Sequence, residues 1–130
     1  MNSETEEYIK NWLLKANEDI AVIKQLSLDH PEQYTGAICF HAQQAVEKFL
    51  KAYLIYNNKE FKRVHDLDYL LNLCIELDEE FNDFELMNLT EFGVNVRYPD
   101  DLLIPSVAET MLYKDLAIQV KIRVEREINF

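Results

Sequence analysis

Apolar side chains recur along this chain at three- and four-residue steps, the period of a helix face rather than of a strand. The strongest stretch is Ala37 to Tyr56, which holds no Gly and no Pro. Cys39, Ala42, Ala45, Val46, Phe49, Ala52, Tyr53 and Tyr56 make one face. His41, Gln44, Lys48 and Lys51 make a polar stripe beside it, and Ile38, Leu50, Leu54 and Ile55 fill much of the rest. A helix that is apolar on more than one side must be covered on more than one side. The pattern therefore puts this segment at the middle of a helical bundle, or between a bundle and a partner. Its Ala residues let neighbours approach closely.

Further helices flank it. The first starts at Ser3 or Thr5, with Ser3 and Glu6 spaced as a capping box, and runs to Leu28. Its face is Trp12, Ala16, Asp19, Ile20, Ile23 and Leu26. Asp29-His30-Pro31-Glu32 breaks the pattern; Asp29 and Glu32 can cap the next helix, with Pro31 in its first turn. So short a break makes the two long helices an antiparallel pair. Asn57 to His65 is polar and basic and reads as a loop. Asp66 or His65 can cap a third helix, carrying Leu67, Leu70, Leu71, Cys74 and Leu77, which ends at Asp78-Glu79-Glu80. A fourth is expected from an Asn82–Glu85 box and a Phe81–Leu86 staple, with Leu89, Phe92 and Val96 on its face. Gly93 weakens it, Pro99 ends it near Arg97, and Val94-Asn95-Val96 fits extended backbone as well. Ser106 and Glu109 cap a fifth, whose last turns hold Lys121, Arg123 and Arg126 beside the negative end of the helix dipole. The expectation is an all-α, antiparallel up-and-down bundle of four to five helices, one domain over residues 1–130.

Composition narrows the function. The chain of 130 residues carries 24 acidic and 13 basic side chains, a net charge of −11. Such a field repels phosphate backbones, so direct binding of long nucleic acid is disfavoured. A small nucleotide in a local basic pocket, or a basic protein partner, stays open. Cys39 and Cys74 fall inside apolar patterns and read as buried thiols in a reducing compartment. The acidic N-terminus is no signal peptide, and no apolar run reaches membrane-spanning length. The expected location is the cytoplasm, with no membrane association.

Three clusters could carry chemistry. His41, Gln44 and Lys48 share one face of the central helix and could hold an anionic group or a base edge; equally, they could pair across a helix seam. Arg97-Tyr98-Pro99 could aim a guanidinium at a phosphate and a ring at a cleft, or simply cap a helix end. Lys62, Arg63 and His65 form a basic corner suited to a phosphate or a partner. No glycine-rich phosphate loop, paired metal-binding histidines or nucleophile elbow is present. No cofactor, metal or catalytic residue is assigned.

Four blocks together resemble the HEPN (higher eukaryotes and prokaryotes nucleotide-binding) domain. They are Trp12 with Ala16-Asn17-Glu18-Asp19-Ile20; Cys39 through Leu54, including His41-Ala42-Gln43-Gln44-Ala45-Val46-Glu47-Lys48; His65-Asp66-Leu67; and Arg97-Tyr98-Pro99. The resemblance implies a helical bundle that commonly forms a homodimer, here through the central helix or its neighbours. It implies a setting beside a small nucleotidyltransferase, often as a toxin–antitoxin-like pair. Some members bind nucleotides or assist the transferase. Others cleave RNA with an Arg followed four to six residues later by His. That spacing is absent here. Ile23, Lys24 and Gln25 precede His30; Tyr34, Thr35 and Gly36 precede His41; Asn58, Lys59 and Glu60 precede His65. Lysine does not reproduce the two-pronged grip of Arg. The expected function is a non-catalytic accessory domain that binds nucleotide through His41, Gln44, Lys48, Arg97 and Tyr98. The alternatives are a ribonuclease toxin using His65, Arg63 and Arg97, or a ligand-free dimeric scaffold.

Overall fold

The computed structural model describes residues 1–93 and 104–130, and everything described is helix, turn or irregular segment. Four α-helices carry the fold: α1 (Ser3–Leu28), α2 (Thr35–Tyr56), α3 (Leu67–Leu77) and α4 (Val107–Glu127). The helical bundle read from periodicity is present, with α2 at its centre. Ile38, Cys39, Ala42, Ala45, Val46, Phe49, Leu50, Ala52 and Leu54 are each fully buried, as a helix apolar on several sides requires. Ile9, Ala16 and Ile23 cover α2 from α1, while Tyr113, Ala117 and Val124 cover it from α4.

Where two helices touch shows which way each runs. Asp19 meets His41, and Trp12 lies over Lys51, so α1 and α2 are antiparallel. Cys39 meets Thr110 and Tyr56 meets Asn129, so α4 runs in the same direction as α2. His65 sits at Gln43 and Cys74 at Leu50, so α3 does too. Strict up-and-down alternation therefore gives way to one helix opposed to three. The irregular connections make this possible by running back along α2. Phe61 lies beside Lys51 and His65 beside Glu47; later, Phe81 lies against Tyr53 and Gly93 against Gln43.

The expected fourth helix is the main correction. Its N-terminal part is two short 3-10 turns, Glu79–Asp83 and Leu89–Gly93. Phe81, Leu86, Leu89 and Phe92 are still buried. Their spacing marked core positions correctly, but the chain is returning across the bundle and a continuous helix would carry it past α2. The part of this expectation beyond Gly93 lies outside the described residues.

Caps differ in detail. Asn2, one residue before Ser3, accepts from the Thr5 amide at 2.8 Å and starts α1. Asp29 and Glu32 do not cap α2. A 3-10 turn, Pro31–Gln33, intervenes, and Glu32 pairs with His30 at 3.0 Å. Asp66 caps α3 through the amides of Asp68 and Tyr69, and Ser106 caps α4 through that of Glu109. Arg123 is not a dipole partner. It reaches back to Asp78, Glu80 and Glu127, its guanidinium 5.0 Å from the Phe81 ring centre, and ties α4 to the turn that follows α3.

Candidate functional site

The polar stripe of α2 is where the fold gathers ionisable groups. Asp19 lies on the buried face of α1, 6% exposed, opposite the first turns of α2. One carboxylate oxygen accepts from His41 Nδ1 at 2.8 Å, and the other from Lys48 Nζ at 2.7 Å. His41 and Lys48 are seven residues apart, two helical turns, so one carboxylate can bridge both. An ionised carboxylate only accepts, so His41 Nδ1 carries the proton of this bond and Nε2 points away from Asp19.

A second cluster follows down the helix. Gln43, Glu47 and Lys51 form an i, i+4 row and are all buried. Gln43 Nε2 donates to Glu47 at 3.2 Å and to the His65 carbonyl at 3.3 Å. Lys51 donates to Glu47 at 3.1 Å. His65 Nδ1 lies 3.0 Å from both Glu47 oxygens, although its own side chain is 80% exposed. Here too a buried carboxylate holds Nδ1 and leaves Nε2 open. Gln44 Nε2 donates to the Gln43 side-chain oxygen Oε1 at 2.7 Å.

Lys51 is closed in by aromatic faces, its ammonium 5.6 Å from the Trp12 ring centre and 6.0 Å from that of Phe61. The indole Nε1 of Trp12 is buried without a hydrogen-bond partner among the described residues, so the ring serves this site through its face. Above Gln43 sits Gly93. A Cβ there would come within 2.9 Å of the Gln43 side chain, so the second return segment crosses close over the cluster.

The sequence expectations are thus partly joined. His41 and Lys48 share one carboxylate, while Gln44 bonds to Gln43 in the separate cluster that holds His65. Lys62 and Arg63 are exposed and, among the described residues, have no side-chain partner; the Lys62 backbone amide donates to the Tyr69 hydroxyl at 3.1 Å. Arg97 and Tyr98 lie outside the described residues. Asp19, Gln43 and Glu47 were missing from the expected site. Gln43 and Glu47 gave one signal, an i, i+4 row with Lys51 beside the polar stripe; Asp19 gave none beyond its place on the α1 face.

Both thiols lie away from this chemistry. Burial pushes Cys39 up to about 11 and Cys74 up to about 12, which leaves them poor nucleophiles. Among the described residues no cluster of His, Cys, Asp or Glu could hold a metal, and no helix is long and apolar enough to cross a membrane.

A family model described as HEPN domain matches residues 9–117 of the chain. The match takes in the α1–α2 pair and both carboxylate–imidazole clusters. Comparison with curated proteins and with solved structures gives no match.

Proposed function

This chain belongs to the HEPN domain family, and from that premise we propose that it is a non-catalytic accessory domain that binds a nucleotide for a small nucleotidyltransferase partner. The observation that carries the reading is the His41 imidazole pinned at Nδ1 by the same carboxylate that holds Lys48. Lys48 uses one of three ammonium donors on Asp19 and keeps others for phosphate. The Gln44 side-chain carbonyl offers an acceptor and His41 Nε2 a second hydrogen-bonding position, suited to a base edge or to a sugar hydroxyl. Arg97 is assigned to phosphate and Tyr98 to stacking. The absence of an Arg four to six residues before any His argues against cleavage.

Titration calorimetry with ATP, GTP, CTP and UTP tests this. Binding of at least one is expected, and Arg97→Ala and His41→Ala should each remove it with the circular dichroism spectrum unchanged. No heat with any of the four would sink the reading. Co-purification with a transferase encoded beside it tests the partnership, and a homodimer is the proposed assembly.

A second reading has one observation in its favour. The Glu47–His65 pair is a buried carboxylate orienting an exposed imidazole, an arrangement able to move a proton. Incubation with total RNA, with His65→Ala as control, separates the two: cleavage lost in that variant would make the chain a ribonuclease.

A further inference from the structure

A groove between α4 and the segment that follows α3 shares no residue with the polar cluster. It encloses about 310 Å³ and is lined by Asp83, Phe84, Glu85, Met87, Leu112, Asp115, Leu116 and Gln119. Its floor is apolar. Leu116 and Phe84 belong to the core packing, the Phe84 ring lying 5.7 Å from that of Phe81. Met87 and Leu112 stand in the groove 51% and 56% exposed. Leu86 turns inward and is buried, and Met87 follows in the left-handed region at φ 49°, which its Cβ disfavours. Adjacent large apolar residues thus take opposite fates, one in the core and one at the surface.

The rim is acidic. Asp83, Glu85 and Asp115 line the groove; among the described residues no Lys or Arg lines it and none pairs with these three carboxylates. By contrast, Asp19 and Glu47 are engaged by the α2 cations, and Asp78, Glu80 and Glu127 by Arg123. We propose that this groove docks a cationic amphipathic helix of a partner protein, its apolar residues seated on Met87 and Leu112 and its Lys or Arg residues on the three carboxylates. Charge selects that occupant. Phosphate backbones and anionic lipid headgroups are repelled, and a second copy of this chain brings a net charge of −11 against the same rim. Unbranched Met suits a surface that adapts to a helix.

The probe is a fluorescent Leu/Lys amphipathic peptide of about 15 residues, roughly four helical turns. The control has every Lys replaced by Glu. Fluorescence anisotropy should show binding of the Lys peptide only, weakening as salt rises. Leu112→Asp, or the combined D83K/E85K/D115K variant, should weaken it about tenfold or more. The three methionines give a local reporter: with ¹³C-methyl labelling, the Met87 signal should move and the Met1 signal should not. Equal binding of the Glu peptide, an unmoved Met87 signal, or unchanged affinity in the charge-reversed variant would each overturn the proposal. So would sedimentation showing that Leu112→Asp abolishes self-association, which would make the groove a contact between copies.

Discussion

Two regions of this molecule treat charge in opposite ways. Around α2, carboxylates and cations are sunk into the bundle and satisfied by one another. Asp19 bridges His41 and Lys48, and Glu47 holds Lys51 and His65. Beside α4, Asp83, Glu85 and Asp115 ring an apolar floor and have no ion-pair partner among the described residues. The first arrangement is dictated by folding, because a buried ion without a partner is costly. The second has no such origin, because exposed carboxylates cost little and stabilise little. Function at the α2 cluster must use what internal pairing leaves over: the Nε2 positions and the spare donors of Lys48. Function at the groove can use the whole surface.

The largest effect that separates the regions is on stability. Glu47→Ala strands the Lys51 ammonium in the core and should cost about 3–5 kcal/mol in urea unfolding. Glu47→Ala combined with Lys51→Met should recover much of that loss. A single-variant cost under about 1 kcal/mol would mean that the pair is not buried in solution.

Gly93→Ala comes next. Its new Cβ would press on the Gln43 side chain, itself fully buried and bonded to Glu47 and the His65 carbonyl. About 1–3 kcal/mol of destabilisation is expected, the usual cost of overpacking. A neutral result would separate the return segment from the cluster.

The thiols give a pH test of the same core. An unfolded thiol ionises near 9.0, whereas folded Cys39 and Cys74 resist until about 11 and 12. Between those values the unfolded state has lost protons that the native state keeps. Stability is therefore complete below pH 9 and falls as pH rises through the folded values. Cys74→Ala should flatten that slope in urea midpoints measured from pH 8 to pH 11.

The smallest effect belongs to the groove. Asp115→Lys should change stability by no more than about 0.5 kcal/mol while weakening capture of the cationic peptide. A large stability loss would mean that Asp115 has an internal partner and that the contrast between the regions is false.

Periodicity alone placed the core. A helix carrying Ile38, Ala42, Val46, Phe49 and Leu54 on several sides can only be central, because apolar area leaves water wherever it can. Phe81, Leu86, Leu89 and Phe92 were likewise marked as buried, although the secondary structure that buries them was not. His41, Lys48 and His65 were named as candidates from residue type and spacing. Their shared partners were not legible, since Asp19 and Glu47 have the spacing of ordinary helix-surface acids.

The tertiary structure decided direction and pairing. Whether Asn57 to Asp66 turns tightly or runs back along α2 depends on which surface Phe61 and His65 find, and that surface is assembled from α1 and α2 together. The same packing sinks Glu47 and Lys51 and leaves Met87 exposed. Local sequence sets which residues seek burial; only the assembled bundle sets which of them obtain it, because burial belongs to the neighbours as much as to the residue.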